Sequence, residues 1–175
     1  ATGSGYAGAS AAEGIVKLSS VDTADKPRRS TGLKELDRVL GGGLVEGSVV
    51  LLGGDPGIGK STLLLQATAA MAVAGECLYV TGEESLQQIS LRARRLGLPT
   101  ENLDCLTETC VERVLGAMAQ RQPAIVVIDS IQTLFSEQVQ SAPGSVSQVR
   151  EDAGAVVCYA KQAQCTVLLV GHVTK

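Results

Sequence analysis

The sequence is poor in aromatic rings. They make up 2% of its 175 residues, as three tyrosines and one phenylalanine with no tryptophan. A core must therefore come from Val, Leu, Ile and Ala. Apolar residues reach 45% of the chain, near the globular average, and the length suits one domain. An excess of basic charge is also missing. A net charge of −3 and a pI of about 5.2 exclude a global field that attracts nucleic acid and leave room only for a local patch. No apolar run approaches the roughly 18 residues of a membrane span. The opening ATGSGYAGASAAEG has neither a basic start nor a sustained apolar stretch, so it does not read as a signal peptide. Cys77, Cys105, Cys110, Cys158 and Cys165 form no C-x-x-C pair. That argues against zinc and dithiol chemistry and for reduced, mostly buried thiols in a cytoplasmic protein.

What is present is a regular alternation. Residues 1–30, rich in Gly, Ala and Ser and ending in DKPRRS, read as a flexible linker. Arg28 and Arg29 there read as solvated linker charge or as phosphate contacts. A core is expected over 31–175. TGLKELDRVLGGGL predicts a short helix with Leu33, Leu36, Val39 and Leu40 on one side, stopped by Gly41 to Gly43. Strands are expected at 48–54, 77–82, 102–106, 124–129 and 166–172. Between them lie helical stripes: Leu63, Leu64, Ala67, Ala70, Met71 and Ala74; then Leu86, Ile89, Ala93 and Leu96; then Val111, Val114, Leu115 and Met118. Thr109 and Glu112 have capping-box spacing before the third of these. A last stripe of Val146, Val149, Ala153, Val156 and Ala160 persists despite Gly154. This pattern predicts an α/β fold, a mostly parallel sheet with helices on both faces. Ligands in such folds bind at the carboxyl ends of the strands.

One stretch at such an end is specific. Gly54, Asp55, Pro56, Gly57, Ile58, Gly59, Lys60 and Ser61 fit the phosphate-loop pattern G-x-x-x-x-G-K-[ST], after a strand and before a helix. Glycines let successive N–H groups turn inward on phosphate oxygens, and the following helix directs its free N–H groups at the same anion. Lys60 reaches the β- and γ-phosphates, Ser61 ligates Mg²⁺, and Thr62 joins the nucleotide-binding set. ATP and Mg²⁺ are thus the expected cofactor pair, on a P-loop NTPase.

Other strand ends offer partners. Asp129 ends the run IVVI, where a carboxylate is costly without a cation or donors. It reads as a second Mg²⁺ residue or as a strand-end cap. Glu83 and Glu84 follow LYVTG as a general base for the attacking water or as helix-start acids. His172, the sole histidine, reads as structural or catalytic. Arg92, Arg94 and Arg95 read as a solvated helix face or as a source of a trans-acting arginine.

GGGLVEGSVVLLGGDPGIGKSTLLLQ, LYVTGEES, VVIDSIQTLFSEQVQSAPGSVSQVRE and LLVGHVTK together resemble the ATPase core of the bacterial RadA (Sms) family, a branch of the RecA-like ATPases. The resemblance runs through most of 31–175. It implies recombinational DNA repair and branch migration on single-stranded or branched DNA, with ring-forming homo-oligomers when complete. It also implies that Glu83 is the catalytic glutamate, with Glu84 a weaker candidate, and that His172 is the γ-phosphate sensor. SEQVQSAPGS takes the place of a DNA-binding loop but contains no Lys or Arg. The family's four-cysteine finger, its KNRFG motif and its Lon-like domain are not found here. Asp152 and Gly154 weaken a helix that the family fills with better helix formers. The chain is therefore expected to be a fragment or truncated product, with weak or absent DNA coupling. Two alternatives stay open: a RecA-like ATPase of circadian-clock type acting on protein, and a nucleotide-binding module without turnover.

Overall fold

A computed structural model describes residues 15–20, 27–54, 60–73 and 75–172. A two-stranded antiparallel ribbon pairs β1 (Arg28–Arg29) with β2 (Leu44–Val45), and α1 (Lys34–Val39) lies between them. The five-stranded sheet follows: β3 (Val49–Gly54), β4 (Cys77–Thr81), β5 (Leu103–Thr107), β6 (Ile125–Asp129) and β7 (Thr166–His172). Every pairing in it is parallel, in the order β3-β7-β6-β4-β5. The connecting helices are α2 (Lys60–Ala72), α3 (Leu86–Arg95), α4 (Val111–Arg121) and α5 (Val146–Ala163). The expected α/β architecture is therefore present.

The strands are apolar throughout because successive side chains enter two different cores. Tyr79, Val127, Leu168 and Val170 face Leu64, Leu65, Met71 and Ile89 from α2 and α3. Leu78, Val80, Val126, Ile128, Val167 and Leu169 face Val114, Met118, Val156 and Ala160 from α4 and α5. Every residue of β4 and β6 is buried.

Several expected faces are rotated. On α2 the buried set includes Leu65, Thr68 and Ala69, whereas Leu63 is exposed. The reason is a second cover: Leu33, Leu36 and Leu40 from the α1 region pack on the same core. Gly32 permits it. It has φ +82°, and a Cβ there would sit 2.5 Å from that of Ala70. Val39 and Leu86, assigned to buried stripes, face outward. The residue-30 boundary falls beside a paired strand, since Arg28 and Arg29 already belong to the ribbon.

The Thr109–Glu112 capping box does not form. The N-cap of α4 is Cys110, without a side-chain cap bond. A short parallel bridge explains this: the Phe135 N–H donates to Thr109 O and the Val111 N–H to Phe135 O, holding 109–111 extended. Glu112 instead accepts from the Ser136 hydroxyl. The capping box of the structure is at Ser85 and Gln88, at the start of α3.

On α5 the buried residues are Gln148, Asp152, Val156 and Ala160, and Val146 is exposed. The amino-terminal half of the helix covers the segment after β6, where the Gln148 carboxamide accepts from Ser136 N and donates to Ser141 O. Asp152 is fully buried, and among the described residues neither carboxylate oxygen has a hydrogen-bond partner. Burial, with Glu112 and Glu151, pushes its pKa from 3.8 up to about 6. The helix runs unbroken through Gly154, where an added Cβ would meet nothing within 4 Å.

A raised carboxyl pKa means that the folded state holds its proton more tightly than the unfolded state. Its contribution is fully present below pH 3.8 and is lost as pH rises through about 6. Asp152→Ala should therefore stabilise the chain by roughly 1–3 kcal/mol at pH 8, where a buried unsatisfied carboxylate is removed. The advantage should shrink toward pH 4, as read by denaturant midpoints. Gly154→Ala should add about 0.5–1 kcal/mol at either pH.

Candidate nucleotide-binding site

The order of the sheet decides which residues meet. β7 lies between β3 and β6, in register from Val49–Val167 to Gly54–His172 on one side and from Ile125–Thr166 to Asp129–Val170 on the other. β4 lies beyond β6, with Thr81 opposite Asp129. The carboxyl ends of β3, β7, β6 and β4 thus adjoin. Gly54 ends β3, and Lys60, Ser61 and Thr62 open α2. Asp55, Pro56, Gly57, Ile58 and Gly59 lie outside the described residues.

Lys60, from the start of α2, crosses to the end of β7. Its Nζ donates to Gly171 O at 3.4 Å and lies 3.3 Å from His172 Nδ1. An ammonium group has no acceptor, so in the neutral form of the ring Nδ1 accepts and Nε2 carries the proton. Nε2 faces Glu83 Oε1 at 3.7 Å and Asp129 Oδ1 at 4.0 Å. Lys60, His172, Glu83 and Asp129 therefore meet at one point.

Glu84 does not join them. Arg92, two turns into α3, grips its carboxylate with both guanidinium branches, Nη1 to Oε1 at 3.2 Å and Nη2 to Oε2. Both side chains are largely buried, whereas Glu83 is 56% exposed. Arg92 is thus not part of a solvated face.

Asp129 is 6% exposed, and its Oδ1 has no hydrogen-bond partner among the described residues. Oδ2 accepts from the Tyr79 hydroxyl at 3.5 Å. Burial raises its pKa above the ordinary carboxylate range; His172 and Lys60 lower it, while Glu83 and Glu84 raise it. Burial holds the Tyr79 phenol far above its usual range, so it remains a donor. An orphaned buried acceptor beside a lysine fits a divalent cation, which would supply the missing charge. Among the described residues no cage of three His, Cys, Asp or Glu side chains exists. Mg²⁺ suits such a place, because it uses one or two carboxylates with water and phosphate oxygens.

A cavity of about 610 Å³ opens beside Gly53, Gly171 and His172 and runs between β3 and α5. Its walls include Leu51, Val149, Val157 and Leu169, with Ser48, Gln132 and Lys161 among the polar ones. No described helix is long and apolar enough to cross a membrane.

Sequence reading missed Tyr79 and Gln132 at this site and read Arg92 only as a solvated face or a trans-acting arginine. Tyr79 carries a hydroxyl in the middle of an apolar strand, and a buried tyrosine needs a partner. Arg92 sits two turns after the Ser85 cap, on the side that faces back to Glu84. Gln132, whose carboxamide bonds the His172 backbone, had only its closeness to Asp129 as a signal.

A parallel α/β sheet with a phosphate-loop sequence at its carboxyl edge defines the P-loop NTPase class, RecA-like in arrangement. A family profile described as an AAA domain matches residues 13–175, and the chain belongs to that family. It is 57% identical over 175 residues to the DNA repair protein RadA of Pseudomonas aeruginosa, covering 99% of this chain and 39% of that protein. It is 54% identical over 172 residues to RadA of Escherichia coli, covering 98% and 37%, and 50% identical over 159 residues to RadA of Bacillus subtilis, covering 90% and 35%. The resemblance to RadA read from the motifs is borne out, and the chain spans less than two fifths of the length of these relatives.

The two-pronged Arg92–Glu84 contact yields a stability prediction. Arg92→Ala should cost about 3 kcal/mol or more, because it leaves a largely buried carboxylate unpaired. Arg92→Lys should recover only part of that, since an ammonium cannot make both contacts. Denaturant unfolding reads both; equal stability of all three proteins would reduce the pair to a surface contact.

Proposed function

We propose that the chain binds Mg-ATP at the carboxyl ends of β3, β7, β6 and β4 and hydrolyses it slowly, as the ATPase core of a RadA-type DNA repair protein. The observation that carries this reading is the meeting of Lys60, His172, Glu83 and Asp129 beside a phosphate-loop sequence. Residues Gly54 to Gly59, apart from Pro56, would supply N–H donors to the phosphates, with Thr62 in the following turn. Lys60 would exchange the Gly171 carbonyl for a phosphate oxygen, whose full charge makes it the stronger acceptor. Ser61 and Asp129 would hold the magnesium ion. When bound, that ion neutralises charge on the phosphate oxygens.

Glu83 is the proposed base. It is exposed and, among the described residues, meets His172 but no Lys or Arg, whereas Glu84 is held by Arg92. It would take a proton from the attacking water. His172 would follow the γ-phosphate through the Nδ1 edge that Lys60 vacates.

DNA enters from the name of the relatives, and the five free cysteines accord with a cytoplasmic setting. Branch migration on single-stranded or branched DNA and ring assembly are proposed for the longer protein. The 136–145 segment has no Lys or Arg, and Arg113 lies 4.0 Å from its Glu137. The salt-sensitive phosphate contribution from this segment should be small.

Fluorescent-nucleotide titration and phosphate release, with and without single-stranded DNA, test the reading. Binding, slow release and little stimulation are expected. Lys60→Ala should weaken nucleotide binding by roughly 10- to 150-fold, the worth of a charge-assisted contact. Glu83→Gln should bind normally and turn over about 10²-fold more slowly. A larger turnover loss in Glu84→Gln than in Glu83→Gln would move the base by one residue, and binding without any release would make the chain a nucleotide-binding module.

A further inference from the structure

β6 pairs with β7 only as far as Asp129 and Val170, while β7 continues to His172. Successive residues of a parallel strand direct their backbone groups to alternate neighbours. The Thr166 N–H donates to Ala124 O on the β6 side, and the Val167 N–H to Ser48 O on the β3 side. His172, an even number of residues past Thr166, therefore turns its N–H and C=O toward β6, after that strand has ended. Both groups would be orphaned. The carboxamide of Gln132 takes the missing strand's place: the His172 N–H donates to Oε1 at 3.1 Å, and Nε2 donates to His172 O at 3.1 Å.

Gln132 lies in the single 3-10 turn Ile131–Thr133. That turn also touches the approach to Glu83. A Cβ on Gly82 would fall 2.6 Å from Thr133 Oγ1, so the two segments are already in contact. Downstream, the chain is tied to α4 and α5 through Phe135 and Ser136. One short turn therefore connects the segment after β6 with both His172 and the residue preceding Glu83.

We propose that Gln132 is a positioning residue: its carboxamide sets where the His172 ring stands relative to Lys60 and Glu83, and makes that position depend on the segment from Phe135 to Ser145. The placement of His172 follows from geometry alone; its consequence for turnover rests on the nucleotide-site reading above.

The chain has one histidine, so its resonances are unambiguous in NMR. The test uses the whole chain without nucleotide, as parent, Gln132→Ala and Gln132→Glu. In Gln132→Ala the His172 amide should exchange about tenfold faster or more, while Val167 to Val170 keep their protection. At one fixed pH its ring proton resonances should shift as the ring leaves Lys60 and Glu83. Gln132→Glu keeps the shape and the acceptor but loses the donor above neutral pH. It should preserve amide protection yet still shift the ring. Ring resonances that stay at their parent positions in both variants overturn the proposal, as does loss of protection throughout β7 in Gln132→Ala with a parent-like ring in Gln132→Glu. With nucleotide, Gln132→Ala should keep its affinity within about twofold and release phosphate about tenfold more slowly. A chain that failed to bind nucleotide would remove the turnover arm and leave the NMR result standing.

Discussion

Both faces of β4, β6 and most of β7 are sealed by helices, and this single constraint organises the molecule. A strand buried on both sides has no wet face on which to carry charge. Charged groups are therefore pushed to the ends of strands, and because every strand runs the same way, one edge collects them. Asp129, Glu83, Glu84 and His172 all follow apolar runs for this reason, and the phosphate-loop lysine arrives at the same edge from α2.

At that edge, charge is apportioned by partners. Arg92 takes Glu84, so the two adjacent glutamates have different environments despite their identical chemistry. Tyr79 reaches one oxygen of Asp129, and the other has no partner among the described residues. Lys60 rests on Gly171 and His172, which fixes the tautomer of the only histidine. Each arrangement keeps an anion or acceptor open toward the point where the side chains converge.

The segment after β6 is the less ordinary part. It contains Gln132, which completes the pairing of β7, and it is fastened to α4 and α5 by Ser136 and Gln148. Beneath α5 the same region holds Asp152, a buried carboxylate with no partner among the described residues. Its burden is local and does not break the helix, because burial of Val156 and Ala160 secures the second half of α5.

Apolar runs and their spacing determined much of this protein on their own. Five strands of the parallel sheet, the five helices and the phosphate-loop motif are properties of local pattern: a doubly buried strand is continuous in sequence, and the motif is a contiguous run of residues. Tertiary structure alone decided the rest. Which side of α2 and α5 is buried depended on what covers the far side, α1 in one case and the Phe135–Ser141 segment in the other. Thr109 could not cap α4 because Phe135, 26 residues away, holds its backbone extended. Local pattern does not separate Glu83 from Glu84; α3 does so by bringing Arg92 to one of them, and Gln132 had no visible purpose until β7 outran β6. These outcomes rest on hydrogen bonds and ion pairs between residues far apart in the chain, and no local period encodes them.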